Sequence, residues 1–165
     1  MRKLALLLVL VVMSMNAQEK VSLNVSVDGR LALLGDDKGN EPLTLNTLIR
    51  FELQGNQQDY GFMFIAPEYE YADLDGGEYH RYSANVGYTF NRYAIERLEI
   101  GISMGFGYIV RDSRTYLSIG GQVDFGYRLT DRIRTVFNMQ FVDRTDIKGR
   151  PLRGSLFGGV KYYLN

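Results

Sequence analysis

Apolar and polar residues alternate with a period of two through nearly the whole chain beyond residue 20, the signature of strands with two unlike faces. In the first predicted strand Leu23, Val25, Val27, Leu31 and Leu33 share one face, against Ser22, Asn24, Ser26, Asp28 and Arg30 on the other. The second sets Leu43, Leu45, Ile49, Phe51 and Leu53 against Thr44, Asn46, Arg50, Glu52 and Gln54. The fourth, Tyr79 to Phe90, divides Tyr82, Ala84, Val86 and Tyr88 from Arg81, Ser83, Asn85 and Thr89, and the fifth divides Leu98, Ile100, Ile102, Met104, Phe106 and Tyr108 from Glu99, Ser103 and three glycines. The sixth sets Leu117, Ile119, Val123, Phe125, Tyr127 and Leu129 against Ser118, Gln122, Asp124 and Arg128. The seventh sets Ile133, Thr135, Phe137, Met139 and Phe141 against Arg134, Asn138 and Gln140, and the eighth Leu156, Val160, Tyr162 and Leu164 against Ser155, Gly159, Lys161 and Tyr163.

The third strand, Tyr60 to about Ala72, contains Pro67, which cannot donate to a ladder, so a bulge is expected there. Without a change of phase Met63, Ile65, Tyr69 and Tyr71 share the apolar face; with one, Phe62 and Phe64 take it before the proline. Glu68 and Glu70 fall on the polar face in both cases. Eight strands running up and down bring both ends of the chain to one side of a closed sheet. The predicted connections are Gly35–Pro42, Asp73–Glu78, Arg111–Arg114 and Asp143–Gly154 at one end, and Gly55–Asp59, Asn91–Arg97 and Thr130–Arg132 at the other.

The N-terminus adds a compartment. Arg2 and Lys3 precede an apolar run from Leu4 to about Met13, followed by Ser14-Met15-Asn16-Ala17, the layout of a cleavable secretory signal over residues 1–17. The run is about half the ~20 residues a membrane-spanning helix needs. The expected mature domain, 18–165, loses Arg2 and Lys3 and so keeps 17 Lys+Arg against 19 Asp+Glu, a balance that gives nucleic acid no electrostatic reason to bind. With no cysteine there is neither a disulfide framework nor a thiolate metal site. If the mature chain enters a membrane it must do so as strands.

Alternation alone does not say which face meets hydrocarbon, because a soluble lipocalin-like barrel has the same period with its apolar face turned inward. The distribution of charge decides. Arg50, Glu52, Glu68, Glu70, Arg81, Glu99, Asp124, Arg128, Arg134 and Lys161 all lie on the polar face among small glycines and serines, as expected for interlocking ion pairs in the narrow lumen of an eight-stranded barrel. Aromatics cluster near the strand ends of the apolar face, with Tyr71, Tyr82, Tyr108 and Tyr116 toward one rim and Tyr88, Phe90, Tyr127 and Tyr162 toward the other, matching two interfacial girdles. The predicted fold is therefore all-β, an eight-stranded antiparallel up-and-down transmembrane β-barrel.

The last strand carries a further sign. Gly159-Val160-Lys161-Tyr162-Tyr163-Leu164 resembles the C-terminal signal of outer-membrane barrels, in which Gly159, Tyr162 and Leu164 would be read by the insertion machinery; the chain ends on Asn165 where an aromatic is usual. Together these features resemble the small outer-membrane β-barrels related to OmpX and to the transmembrane domain of OmpA, across the whole mature chain. The Ala17-Gln18 junction resembles those of exported Bacteroidetes proteins. Tyr127-Arg128-Leu129-Thr130-Asp131-Arg132 and Thr145-Asp146-Ile147-Lys148 are similar to segments of the TraO components of conjugative transposons. The resemblance implies a Gram-negative envelope, a monomer, and contact with outer-membrane lipid and lipopolysaccharide.

Candidate chemistry is sparse. Some eight-stranded barrels modify lipid A with a histidine and a serine; here His80 and Ser83 are three apart and should point to opposite faces. Glu68 and Glu70 share a face and could form an acid–base pair, but the arginines beside them favour structural ion pairing. Asp36 with Asp37, and Asp73 with Asp75, offer too few ligands at defined spacing for calcium. No phosphate loop, zinc spacing or nucleic-acid module is present. The expectation is a non-enzymatic envelope barrel without a cofactor or an open pore, with a lipid A-modifying enzyme, a soluble lipocalin-like binder and a TraO-like component as the alternatives.

Overall fold

The computed structural model describes residues 20–36, 39–75, 77–91, 97–146 and 152–164. Residues 1–17, Asp37 and Asn165 lie outside the described residues, and so do the expectations that rest on them. The alternating segments form eight strands: β1 (Lys20–Asp28), β2 (Asn46–Gln54), β3 (Gly61–Leu74), β4 (Gly77–Phe90), β5 (Leu98–Arg111), β6 (Arg114–Arg128), β7 (Ile133–Asp143) and β8 (Leu152–Tyr163). Each pairs antiparallel with its sequence neighbours, and β1 pairs with β8, so the sheet closes into an up-and-down barrel. Lys20 and Leu164 lie at one end of the barrel, the terminal end; the opposite end, where β1 leads to β2, β3 to β4, β5 to β6 and β7 to β8, is the loop end.

Closure leaves none of the eight strands as an edge. Side chains then sort by parity: polar residues such as Arg50, Asn85, Ser118 and Asn138 are fully enclosed, whereas Met104, Phe106 and Leu117 are each about two-thirds exposed on the outside (72%, 69% and 66%). Wall contact is close at glycine-bearing positions. A Cβ on Gly159 would meet the Val25 carbonyl oxygen and the Ser26 hydroxyl across the β1–β8 seam.

Four expectations need correction. Pro67 makes no bulge: pairing of β2 with β3 runs in one register from Arg50↔Glu68 to Leu53↔Ile65, and β3 with β4 continues through Pro67↔Ala84. The phase is therefore unchanged, with Met63 and Ile65 outside and Phe62 and Phe64 buried inside. The missing donor is accommodated as a two-position lapse in the β2–β3 ladder.

The first strand also stops earlier than its alternation suggests. Asp28 accepts from the backbone N–H groups of Arg30 and Leu31 (3.0 and 3.2 Å), a helix cap that turns the chain into the short helix α1 (Gly29–Leu33). Leu31 consequently faces inward, fully buried, while Leu33 is exposed. The second strand begins only at Asn46, since Leu43 has a left-handed backbone (φ 75°) that a strand does not accommodate. Finally, Tyr116 belongs to no outer girdle. It faces inward and packs on a buried cluster of Leu31, Ala72, Leu74, Tyr79 and Ile109 that stoppers the loop end of the lumen.

Candidate functional site

The enclosed charges form one connected network centred on Glu68. Its carboxylate accepts from Arg50 Nε (3.0 Å), Arg81 Nη1 (2.9 Å), the Ser83 hydroxyl (3.2 Å), Gln122 Nε2 (2.9 and 3.0 Å) and Gln140 Nε2 (3.3 Å). Arg50 reaches past it to both oxygens of Asp124 at 3.0 Å, and Asn138 bonds Asp124 and Gln122 in turn. Arg81 also touches Ser118 (3.0 Å) and lies 3.9 Å from Glu70, to which the Tyr79 hydroxyl donates at 3.5 Å. Strand parity explains the convergence: β2, β3, β4, β6 and β7 each contribute side chains from alternate positions aimed at the same axis.

Toward the terminal end the pairs are more local. Lys161 bonds Glu52 at 2.9 Å, with Gln54 completing that carboxylate at 2.7 Å. Arg134 lies 2.8 Å from Glu99 and stacks over the Tyr163 ring, 4.1 Å from its centre. Arg128 occupies the inward register at the very end of β6, half-exposed at the rim. The structure thus brings Arg50, Glu68, Glu70, Arg81 and Asp124 into one cluster, places Glu52 with Lys161 and Glu99 with Arg134 beside it, and leaves Arg128 at the margin. In the proposed insertion segment Gly159 sits at the seam, while Tyr162 and Leu164 point outward.

Charge alone did not reveal the neutral members. Ser83, Gln122 and Gln140 donate to the Glu68 hub, while Ser118 bonds Arg81 and Asn138 bonds Asp124 and Gln122; their strand parity was the available signal. Enclosed groups in so narrow a space need partners because an unpaired buried charge is costly. Beside these side chains a polar recess of about 160 Å³, lined by residues such as Lys20, Gln54, Glu99 and Arg134, opens at the terminal end.

At the loop end a second arginine cluster had no sequence signal, since Arg144 and Asp146 follow β7 in a connection and meet the end of β5 only in the folded barrel. Arg144 grips Asp146 with two bonds of 2.7 Å, lies over the Tyr79 ring at 4.1 Å, and Arg111 approaches the same carboxylate at 3.6 Å. Burial alone would push the Asp146 carboxyl up; the hydrogen bonds and charge of Arg144, with Arg111, outweigh it and hold it below its ordinary value of 3.8. A depressed folded pKa means that this clasp stabilises the fold above the unfolded value and is lost as pH falls through the folded one. The Arg144 Hε resonance should therefore keep its position between pH 7 and 5 and move only below 3.8. Movement already complete at pH 5 would contradict the pairing.

Asp36 accepts from Asn40 (2.9 Å) and Arg153 (2.9 Å), so its oxygens are engaged by protein donors. His80 and Ser83 do lie on opposite faces, Ser83 bonding Glu68 inside and His80 outside near the loop end. His80 Nδ1 is 2.9 Å from the Tyr69 hydroxyl, and its Nε2 is 3.6 Å from Glu78.

No protein-family model matches the chain, and no curated protein matches it in sequence. Its fold is similar to that of the Yersinia pestis outer-membrane protein Ail in a phospholipid bilayer nanodisc, with a TM-score of 0.57 and 13% identity over 88% of this chain and 99% of that one. Neisserial surface protein A gives 0.53 and 11% over 87% and 93%, and a de novo designed transmembrane β-barrel gives 0.53 and 13% over 89% and 99%. The class is thereby defined: a closed eight-stranded barrel with the fold of small outer-membrane β-barrels. At these identities the likeness concerns the fold alone.

Proposed function

We propose that this chain is a non-enzymatic outer-membrane barrel, delivered by a cleaved signal segment in a Gram-negative, Bacteroidetes-type envelope, that strengthens the membrane or displays short loops at the surface without an open pore. One observation carries this reading: Arg50 and Arg81 are sealed inside at 0% and 1% exposure while Met104, Phe106 and Leu117 stand on the outside. A water-soluble barrel with that arrangement would leave a continuous apolar belt in water, far beyond the few hundred Å² that soluble monomers show. Hydrocarbon around the belt removes the conflict. Its partners would then be outer-membrane lipid and lipopolysaccharide, with the insertion machinery reading Gly159, Tyr162 and Leu164 during biogenesis.

The large side chains enclosed in the lumen, Arg50 and Arg81 among them, support a structural role over conduction, because an eight-stranded barrel has room for side chains and little else. The expected result is recovery in the outer-membrane fraction, extraction only by detergent, and a gel mobility that changes on boiling. Recovery in the soluble periplasmic fraction would favour a lipocalin-like binder instead. His80, paired outside with Tyr69 and Glu78, keeps a lipid-modifying enzyme as the second reading; a changed lipid A profile in a His80→Ala host would favour it.

A further inference from the structure

The outward face is not uniformly bulky. Across β2 to β5 the row Ile49, Tyr69, Tyr82 and Tyr108 runs strand to strand, with the three tyrosine rings 5.0 and 5.2 Å apart in sequence. In the next row toward the terminal end the pairing places Pro67 and Ala84 side by side, with Phe106 beyond Ala84 and Phe51 at the other flank. Two small residues between two phenylalanines, beneath a shelf of tyrosine, leave a groove of about 630 Å³. At its loop-end side it meets a second recess bordered by Ile49, Tyr69, Glu78 and His80. The outward positions beyond the tyrosines on β3 and β4 include Asp73 and Glu78, which stand directly opposite each other.

We propose that this continuous groove seats one acyl chain of a membrane lipid whose head group carries a cationic amine. The inference rests on the membrane reading given above. Within a bilayer there is no hydrophobic gain in moving a chain from its neighbours to a protein wall, so a preferred seat must come from shape and from the head group. The notch over Pro67 and Ala84 supplies the shape, letting methylenes touch ring faces on three sides. Asp73 and Glu78 supply the head contact, two carboxylates at the polar rim that favour an ammonium and repel an anionic head. Tyr69 and His80, already bonded to each other, stand where the chain must pass from rim to notch.

The test is native mass spectrometry of the full-length barrel released from nanodiscs of equimolar phosphatidylethanolamine and phosphatidylglycerol. The wild-type protein should retain one lipid and favour phosphatidylethanolamine. Ala84→Phe fills the notch from the outside, and retention should fall about fivefold, the scale of a lost set of packing contacts. Phe106→Ala, which removes a wall without adding bulk, should give a similar loss, whereas Val86→Phe, one row further toward the terminal end, should change nothing. The double variant Glu78→Gln with Asp73→Asn should keep the lipid and lose the head-group preference. Equal retention by wild type and both notch variants, or equal retention of the two lipids by wild type, would overturn the proposal. An inserted, heat-modifiable barrel without a retained lipid removes only the seat; a chain soluble without detergent removes the membrane reading itself.

Discussion

A Glu68→Ala barrel is expected to be less stable than the wild type by about 3–5 kcal/mol, the cost of stripping a buried ion pair of one partner. Arg50 and Arg81 both lose a contact of 3.0 Å or less, and the Ser83, Gln122 and Gln140 donors lose their acceptor together. Arg50 keeps Asp124, and Arg81 keeps the longer approach to Glu70, so the loss should stop short of abolishing insertion. Glu68→Gln retains an acceptor oxygen and should fall between the two. Equilibrium unfolding in denaturant with phospholipid vesicles measures it. A change under about 1 kcal/mol in Glu68→Ala would mean that the network is ornamental to stability, against the burial argument.

Met104→Arg reads the other face. Met104 stands outside on β5 in the row Ile65, Val86, Met104, between the tyrosine shelf of Tyr82 and Tyr108 and the opposite girdle of Tyr88, Tyr127 and Tyr162. An arginine near the bilayer midplane of such a barrel costs about 2–4 kcal/mol. The same substitution on a water-washed surface changes stability by no more than about 0.5 kcal/mol. The two outcomes are well separated, so the sign of the environment can be decided from one variant without knowing the biological role.

The outward half of the fold was legible because strand parity survives almost any local disturbance: Leu23, Val25, Ile49, Ile102, Phe125 and Val160 all lie where their spacing puts them. Errors arose where a local preference competed with the period. Leu31 is in phase with β1 by number, yet Asp28 caps a helical turn and Leu31 fills the loop-end cluster; the Asp28-Gly29 pair was a visible signal outweighed by the alternation. Pro67 predicts a bulge because it cannot donate to a ladder and leaves the phase of its strand open, but the paired segments on either side of the lapse hold the register. The Glu68 cluster was legible as a set of inward charges. Its hub was not, because which carboxylate gathers the arginines depends on stagger between strands, which a one-dimensional pattern does not contain.

The turn at Asp112 and Ser113, both with left-handed backbone, joins β5 and β6 by two residues, a geometry matched to the right-handed twist of a hairpin. Its neighbours along the chain meet at little entropic expense, whereas β1 finds β8 only after every intervening segment has been laid down. Assembly is thus expected to start in the middle of the molecule and finish at the seam where Gly159 nests against Val25 and Ser26. Until that last zip, two naked borders remain available to a second chain, and a slow step placed there would expose this protein to pairing with itself.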